Sequence, residues 1–543
     1  MRVSPAVDRT TSPPTITVPR EYNAAADFID RHVAEGRGDR IAFQDDTRTV
    51  TYAELADLVA RAGNALSALG VAMEQRVLLL MVDSIEMVAC FFGAIKIGAV
   101  PVPSNTWLTD HDYDYILRDS RAGVLVVSAS MVEKVLPALA GQPFLRHVVV
   151  DGDARSPGAA GTAGLPTSHL ADLLAQAAPA LEPAHTTRDD ACFWLYTSGS
   201  TGQPKAAVHA QSDMLYTAEL YGVGVLGIHE DDVVFSAAKL FFAYGLGNAM
   251  TFPLRVGARA RLMAERPTTS AVIARLAPPH AGHGASAPTI FCGVPTLYAS
   301  LLADPKLPPG SALRIRACIS AGEALPADVS RRWRAHTGVD ILDGIGSTEM
   351  LHIFVSNRPG AVRDGTTGTV VPGYEAKIVG DDGETLPPGE VGDLVVSGPS
   401  SAVAYWNKRE LSLKTFEGRW TRTGDRYLVT DDGYFVYQGR SDDMLKVGGI
   451  YVSPFEVEAA LIAHASVLEA AVVGQRDEAD LVKPKAYVVL APGHSPSPAH
   501  AEVLKVHVKS VLAVYKYPRW IEFVAELPKT ATGKIQRFKL RAP

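Results

Sequence analysis

Ten residues, Tyr196-Thr-Ser-Gly-Ser-Thr-Gly-Gln-Pro-Lys205, constrain this chain more than any other stretch. They combine four Ser/Thr hydroxyls, two glycines and a lysine, and they follow directly on the apolar Phe193-Trp194-Leu195. The pattern predicts a buried strand that runs out into a loop of backbone N–H groups, hydroxyl donors and one cation. Phosphate suits such a loop best. A P-loop of the G-x-x-x-x-G-K-[ST] type is disfavoured, because Gly202 is followed by Gln203-Pro204-Lys205-Ala206. Both the spacing and the magnesium-binding hydroxyl after the lysine are missing. Gly533-Lys534-Ile535 lacks that hydroxyl too.

A chain of 543 residues exceeds what one hydrophobic core normally organises, so more than one domain is expected. The net charge of −7 argues against a nucleic-acid partner, which favours a basic face. The four cysteines, Cys90, Cys192, Cys292 and Cys318, are scattered among apolar neighbours. They read as buried thiols rather than a zinc or disulfide framework. The stretch Met1 to Pro19 lacks the apolar core of a secretory signal, and no apolar run approaches a membrane span of about 20 residues. The expectation is a cytoplasmic enzyme without a membrane or nucleic-acid partner, monomeric or homodimeric.

The fold class expected is α/β. A large N-terminal domain, residues 1–439, holds parallel or mixed sheets with helices plus a β-rich subdomain. A small mobile α+β C-terminal domain covers 440–543. Thr51-Tyr-Ala-Glu54 predicts a capping box opening a helix to about Leu69. Arg76 to Val82, Val124–Val127 and His147–Val150 read as strands covered on both faces, with a helix from Ile85 to Ile97 between the first two. Ala154 to Asp190 and Pro278 to Pro288 read as surface connections. Asp381-Asp-Gly-Glu384 and Asp431-Asp-Gly-Tyr434 read as hairpin turns. After Gly449 the order is a helix (Pro454–Ile462), strands at Ala470–Val473 and Pro484–Leu490, a helix (Ala499–Leu512) and a strand (Trp520–Val524).

Four further motifs carry polar chemistry: Asp343-Gly-Ile-Gly-Ser-Thr-Glu349, Thr421-Arg-Thr-Gly-Asp425, Gly439-Arg-Ser-Asp-Asp-Met-Leu-Lys-Val-Gly-Gly449 and Leu527-Pro-Lys-Thr-Ala-Thr-Gly-Lys534. With the first loop they make the chain resemble the adenylate-forming superfamily, from about residue 20 to 541. Lys239-Leu-Phe-Phe-Ala-Tyr-Gly-Leu-Gly-Asn248 and Asp343 to Phe354 resemble its benzoate–CoA ligase branch. The resemblance implies ATP, Mg2+ and coenzyme A, and two half-reactions: adenylation of a carboxylate, then displacement of AMP by a thiol. It implies that Thr197, Ser198, Gly199, Ser200, Thr201, Gly202 and Lys205 hold the β- and γ-phosphates. Thr348 would bond the α-phosphate and Glu349 would hold the metal. Asp425 would take the ribose with Arg440 close by. Asp343 would face the adenine amine near Gly322 and Glu323, with Gly344 and Ile345 forming its platform. Many relatives place an aromatic residue where this chain has Ile345. Lys534 would bridge the carboxylate and the α-phosphate, and Lys529 would be a solvated surface charge. Asp442 would be the hinge that exchanges Lys534 for the loop of Lys446, Gly448 and Gly449, where the pantetheine arm passes.

By the same resemblance the acyl pocket is lined by Phe242, Ala243, Tyr244, Ala321, Gly344, Ile345, Gly346, His352 and Ile353. These are apolar or aromatic, which suits a small aromatic carboxylate as partner. Benzoate leads. Hydroxy-, amino- and fluorobenzoates follow if Tyr244 or His352 bonds a ring substituent. Phe242 and Tyr244 read equally as core aromatics. Three other readings stand beside this one: an aryl-acid adenylating enzyme that loads a carrier protein, a fatty acyl–CoA ligase with a deeper tunnel, and a nucleotide-binding protein without catalysis.

Overall fold

The computed structural model describes residues 4–152, 164–197, 203–276, 287–441, 443–447, 450–478, 481–512, 514–529 and 535–541. Continuous apolar runs between helices build a five-stranded parallel sheet in the order Val100–Pro103, Arg76–Leu80, Val124–Ser128, His147–Asp151 and Thr167–His169. The crossover helices include Ile85–Lys96, capped by Ser84, and Asp110–Ser120, with a Thr109/Asp112 capping box. The helix Tyr52–Ala68 opens on the expected Thr51/Glu54 box. It packs closely on Ile85–Lys96, since a Cβ on Gly93 would lie 2.7 Å from the Gly63 nitrogen.

The stretch from Ala154 to Asp190 departs from expectation. It is not only a connection: Thr167–His169 adds the fifth strand and Leu170–Gln176 forms a helix. Leu170 and Leu174, one helical turn apart, are both buried, and this pair was hidden in an Ala- and Pro-rich composition. The Pro278 to Pro288 reading falls largely on residues outside those described.

A second sheet has nine strands among the described residues. Its centre is parallel and runs Ile341–Gly346, Ala317–Ser320, Ile290–Gly293, Val233–Ser236, Arg259–Arg261 and Ile41–Gln44. Antiparallel strands close both ends, Ile353–Ser356 with Thr369–Val370 on one side and Thr49–Thr51 on the other. Ala191–Thr197 and Lys205–Ala210 form an antiparallel pair whose last rung is Thr197 opposite Lys205, and Ala404–Tyr405 adds a short third strand. The β-rich region is antiparallel, with Trp420–Val429 and Phe435–Arg440 joined at the expected Asp431–Tyr434 turn.

The C-terminal unit pairs Val467–Arg476 with Val482–Leu490 and adds Trp520–Phe523 in parallel. Helices Pro454–Ile462 and Pro498–Val511 cover it. It has its own core, in which Val457, Leu461, Val472, Val488, Leu504 and Val508 meet. All four cysteines are buried and unpaired. Among the described residues no helix is long and apolar enough to cross a membrane.

Candidate active site

The second sheet places the candidate residues. Its central strands are parallel, so their C-terminal ends lie along one edge, where open α/β sheets bind ligands. Val233–Ser236 leads to the Lys239–Asn248 segment, Ala317–Ser320 leads to Ala321, Gly322 and Glu323, and Ile341–Gly346 carries Asp343, Gly344 and Ile345. Ser320 stands directly opposite Asp343 in the register. The Lys239–Asn248 segment is pinned from below: the Leu240 amide donates to Asp83 Oδ1 at 3.1 Å, and Lys239 Nζ lies 3.9 Å from the same carboxylate and donates to the Met263 carbonyl.

The end at Thr197 and Lys205 is built differently. Ser198, Gly199, Ser200, Thr201 and Gly202 lie outside the described residues, but Thr197 and Lys205 close the strand pair that leads to them. The pair is buttressed from behind. Tyr196 donates to Asp119 Oδ2 at 2.6 Å, and the Trp194 and Trp406 rings lie 4.6 Å apart with Arg76 over both. Lys205 Nζ sits 3.4 Å from Glu349 Oε1, with side chains 19 % and 15 % exposed. Burial alone would raise the Glu349 carboxyl. The Lys205 charge and a hydrogen bond from Tyr405 outweigh it and hold the group below the ordinary carboxylate value. Glu349 is therefore an ionised oxygen donor, which fits a magnesium ion that takes one or two protein carboxylates and completes its shell with phosphate and water. Among the described residues no three His, Cys, Asp or Glu side chains cluster for a metal.

Thr348, beside it, is held by a pair that sequence reasoning missed. His209 Nε2 donates to the Thr348 carbonyl at 2.8 Å, and His209 Nδ1 lies 2.9 Å from Asp213 Oδ2. Both side chains are buried, and the imidazole stacks on Phe193. With Nε2–H committed to a carbonyl, a proton must also lie between Nδ1 and Asp213. Burial, which raises the Asp213 pKa, favours that arrangement. The only sequence signal was a polar His and Asp at i, i+4 in apolar surroundings.

On the strand Ile341–Gly346, Asp343 is buried, its Oδ1 has no hydrogen-bond partner, and burial raises its pKa well above the ordinary value. A buried acceptor without a donor suits an incoming amine. Ile345 is partly buried against the core. Gly322 has φ +91, a conformation that glycine adopts without strain. Asp425 and Arg440 face each other across Trp420–Val429 and Phe435–Arg440, with Arg440 Nη1 3.2 Å from Asp425 Oδ1.

The surroundings of His352 are aromatic. His352 is 3 % exposed and lies among Tyr221, Tyr244 and Phe252, at centroid distances of 5.2, 5.8 and 4.5 Å. Burial lowers its pKa to about 3 against a weak opposing contact with the Tyr244 backbone, so it is neutral, and neither ring nitrogen makes a hydrogen bond of good geometry. The backbone approaches closely here, since a Cβ on Gly346 would meet the His352 carbonyl at 2.5 Å. Ile353 and Ala321 are buried, as is Ala243, and Phe242 packs beside Phe241 and Trp107. Tyr244 corrects the expectation of a substituent-binding hydroxyl: it already donates to the carbonyls of Gly293 (3.1 Å) and Ile319 (3.0 Å). Of the two ring-substituent candidates, only His352 keeps polar atoms without a hydrogen bond of good geometry.

Lys534, Asp442, Gly448 and Gly449 lie outside the described residues, as does the side chain of Lys446. Lys529 is not simply solvated, because its ammonium pairs with Glu469 Oε1 at 2.6 Å.

Comparison with known proteins covers nearly the whole chain. The model of the AMP-binding enzyme family matches residues 30–406, and that of the AMP-binding enzyme C-terminal domain matches 456–534. A benzoate–CoA ligase of Thauera aromatica is 57% identical over 537 residues, covering 98% of each chain. A 4-hydroxybenzoate–CoA/benzoate–CoA ligase of Rhodopseudomonas palustris is 48% identical over 96% of this chain and 94% of its own length. The crystal structure of a benzoate CoA ligase from Burkholderia xenovorans LB400 superposes with a TM-score of 0.87 at 51% identity, covering 96% of this chain and all of that one.

One prediction tests the His209 bridge. Replacing His209 by Phe keeps a ring against Phe193 but strips Asp213 and the Thr348 carbonyl of their partner. Urea denaturation is expected to show a loss of about 2–4 kcal/mol, and a loss below about 0.5 kcal/mol would contradict the bridge.

Proposed function

Since this chain belongs to the AMP-binding enzyme family, the adenylate-forming superfamily in its benzoate–CoA ligase branch, we propose that it joins an aromatic carboxylate to coenzyme A at the expense of ATP. It is an AMP-forming acid–thiol ligase. In the first half-reaction a carboxylate oxygen attacks the α-phosphorus, the bond to the bridging oxygen breaks and pyrophosphate leaves. In the second, the coenzyme A sulfur attacks the acyl carbonyl and AMP leaves with the bonding pair. Adenylation is needed because a carboxylate is a poor electrophile, so the catalyst's work is to position and neutralise phosphate charge.

The observation that carries the substrate class is the neutral His352 set among three aromatic rings, beside Ile353 and at the C-terminal edge of the parallel strands. A flat apolar ring fits that wall, and benzoate is the simplest acid that does. The orphan nitrogens of His352 also suit a benzoate bearing one hydroxyl or amino group. Full-length similarity to ligases named for benzoate and 4-hydroxybenzoate supports the same range.

The residue roles follow from this reading. Thr197 and Lys205 flank the loop that takes the β- and γ-phosphates. Thr348 meets the α-phosphate. Glu349 holds magnesium, which when bound neutralises and orients the triphosphate. Asp343 accepts from the adenine amine and Asp425 from the ribose. Lys534, carried by the C-terminal unit from about residue 440 onward, supplies a cation where carboxylate and α-phosphate meet. Asp442 at that boundary is the pivot that later brings Lys446, Gly448 and Gly449 to the thiol.

Two measurements test the reading. Pyrophosphate release across a panel of aromatic and aliphatic acids, with and without coenzyme A, is expected to be fastest with benzoate or a monosubstituted benzoate and to turn over repeatedly only with the thiol. A preference for medium-chain fatty acids, or turnover only with a carrier protein, would overturn it. Lys534→Ala is expected to lower ATP–pyrophosphate exchange by about 10²-fold or more, while thioester formation from supplied benzoyl-adenylate persists. Exchange within about threefold of wild type would move the role to another cation.

A further inference from the structure

Tyr405 belongs to none of the motifs above, yet it touches both charged groups at the phosphate end. The backbone sets its place. Ala404–Tyr405 pairs with Lys205–Ala210, with Tyr405 opposite Ala207 on the strand that begins at Lys205. The Tyr405 amide donates to Ser412 Oγ at 3.0 Å, its ring packs on Phe416, and the residue is 3 % exposed. Lys205 Nζ lies 4.1 Å from the ring centroid and donates to the phenol oxygen at 2.6 Å. The phenol in turn donates to Glu349 Oε1 at 2.5 Å.

We infer that Tyr405 is a positioning residue for the metal-bound triphosphate: its hydroxyl bonds to both Lys205 and Glu349 from one side and keeps both available to ligand. The inference rests on the ligase reading and its roles for those two residues. The ammonium and carboxylate are 3.4 Å apart, wider than the 2.7–2.9 Å of a direct charge-assisted bond. Without the hydroxyl, two opposite charges in a poorly solvated site close into direct contact, where their attraction is strong. Magnesium and phosphate must then part that pair before either group can serve. AMP, which lacks the β- and γ-phosphates, makes no demand on Lys205 or Glu349, so its binding is indifferent to the hydroxyl.

Calorimetric titration of the full-length protein tests this without turnover, with no carboxylic acid present. In Tyr405→Phe, which keeps the ring under Lys205, affinity for Mg·ATP is expected to fall about tenfold, the scale of one charge-assisted hydrogen bond, while AMP affinity stays within about twofold. Unchanged Mg·ATP affinity, or an equal loss for AMP, would overturn the inference. If Tyr405→Phe does not fold, Tyr405→His, whose ring can still donate, gives the second test. A wild-type ratio of AMP to Mg·ATP affinity supports the role, and a tenfold change in that ratio contradicts it. Failure of the wild-type protein to bind Mg·ATP is a separate outcome, and it would overturn the ligase reading itself.

Discussion

An ionised carboxylate in a largely enclosed site must have a cation, and Glu349 is that carboxylate. Its cation, Lys205, comes from a strand pair in a different sheet, so the requirement ties those strands to the end of the Asp343–Glu349 segment. The tie is reinforced on each side of Glu349. His209 holds the Thr348 carbonyl, the Ala402 amide donates to the Glu349 carbonyl at 2.7 Å, and Ser400 Oγ donates to the Met350 carbonyl at 2.8 Å. Leu351, next in line, has φ +66, a strained conformation for a leucine that these neighbours must sustain. The segment around Thr348 and Glu349 is thus over-determined by its surroundings rather than left to loop entropy.

The parallel register of the second sheet does the rest of the positioning. Because adjacent strands end together, the ring wall at Tyr244 and His352 and the orphan Asp343 oxygen share one edge without any long-range motif having to specify it. The wall is buried and neutral, whereas the Lys205–Glu349 end is charged. That gradient matches a substrate with an apolar ring at one end and a carboxylate at the other.

Much of this was legible in the sequence, for physical reasons that differ by element. The capping box at Thr51, the apolar strands at Arg76 and His147 and the turn at Asp431 are local signals, and the fold keeps them. The strand and helix at Thr167–Gln176 were not legible, because two buried leucines one turn apart are a weak signal in an Ala-rich stretch. Tyr244 was legible as an aromatic wall but not in its hydroxyl, which finds carbonyls on two strands remote in sequence. Tyr405 and the His209–Asp213 pair were invisible for the same reason: their roles are defined by what they touch across the fold. The reading of Lys529 as a solvated charge failed because Glu469 lies on a neighbouring strand.

The central claim is that a carboxylate oxygen attacks the α-phosphorus of ATP. Turnover of benzoate labelled with ¹⁸O in its carboxyl group, followed by mass analysis of the nucleotide and pyrophosphate, tests it directly. The account predicts one labelled oxygen in each AMP formed and none in pyrophosphate. Label in pyrophosphate, or AMP without label, would contradict it.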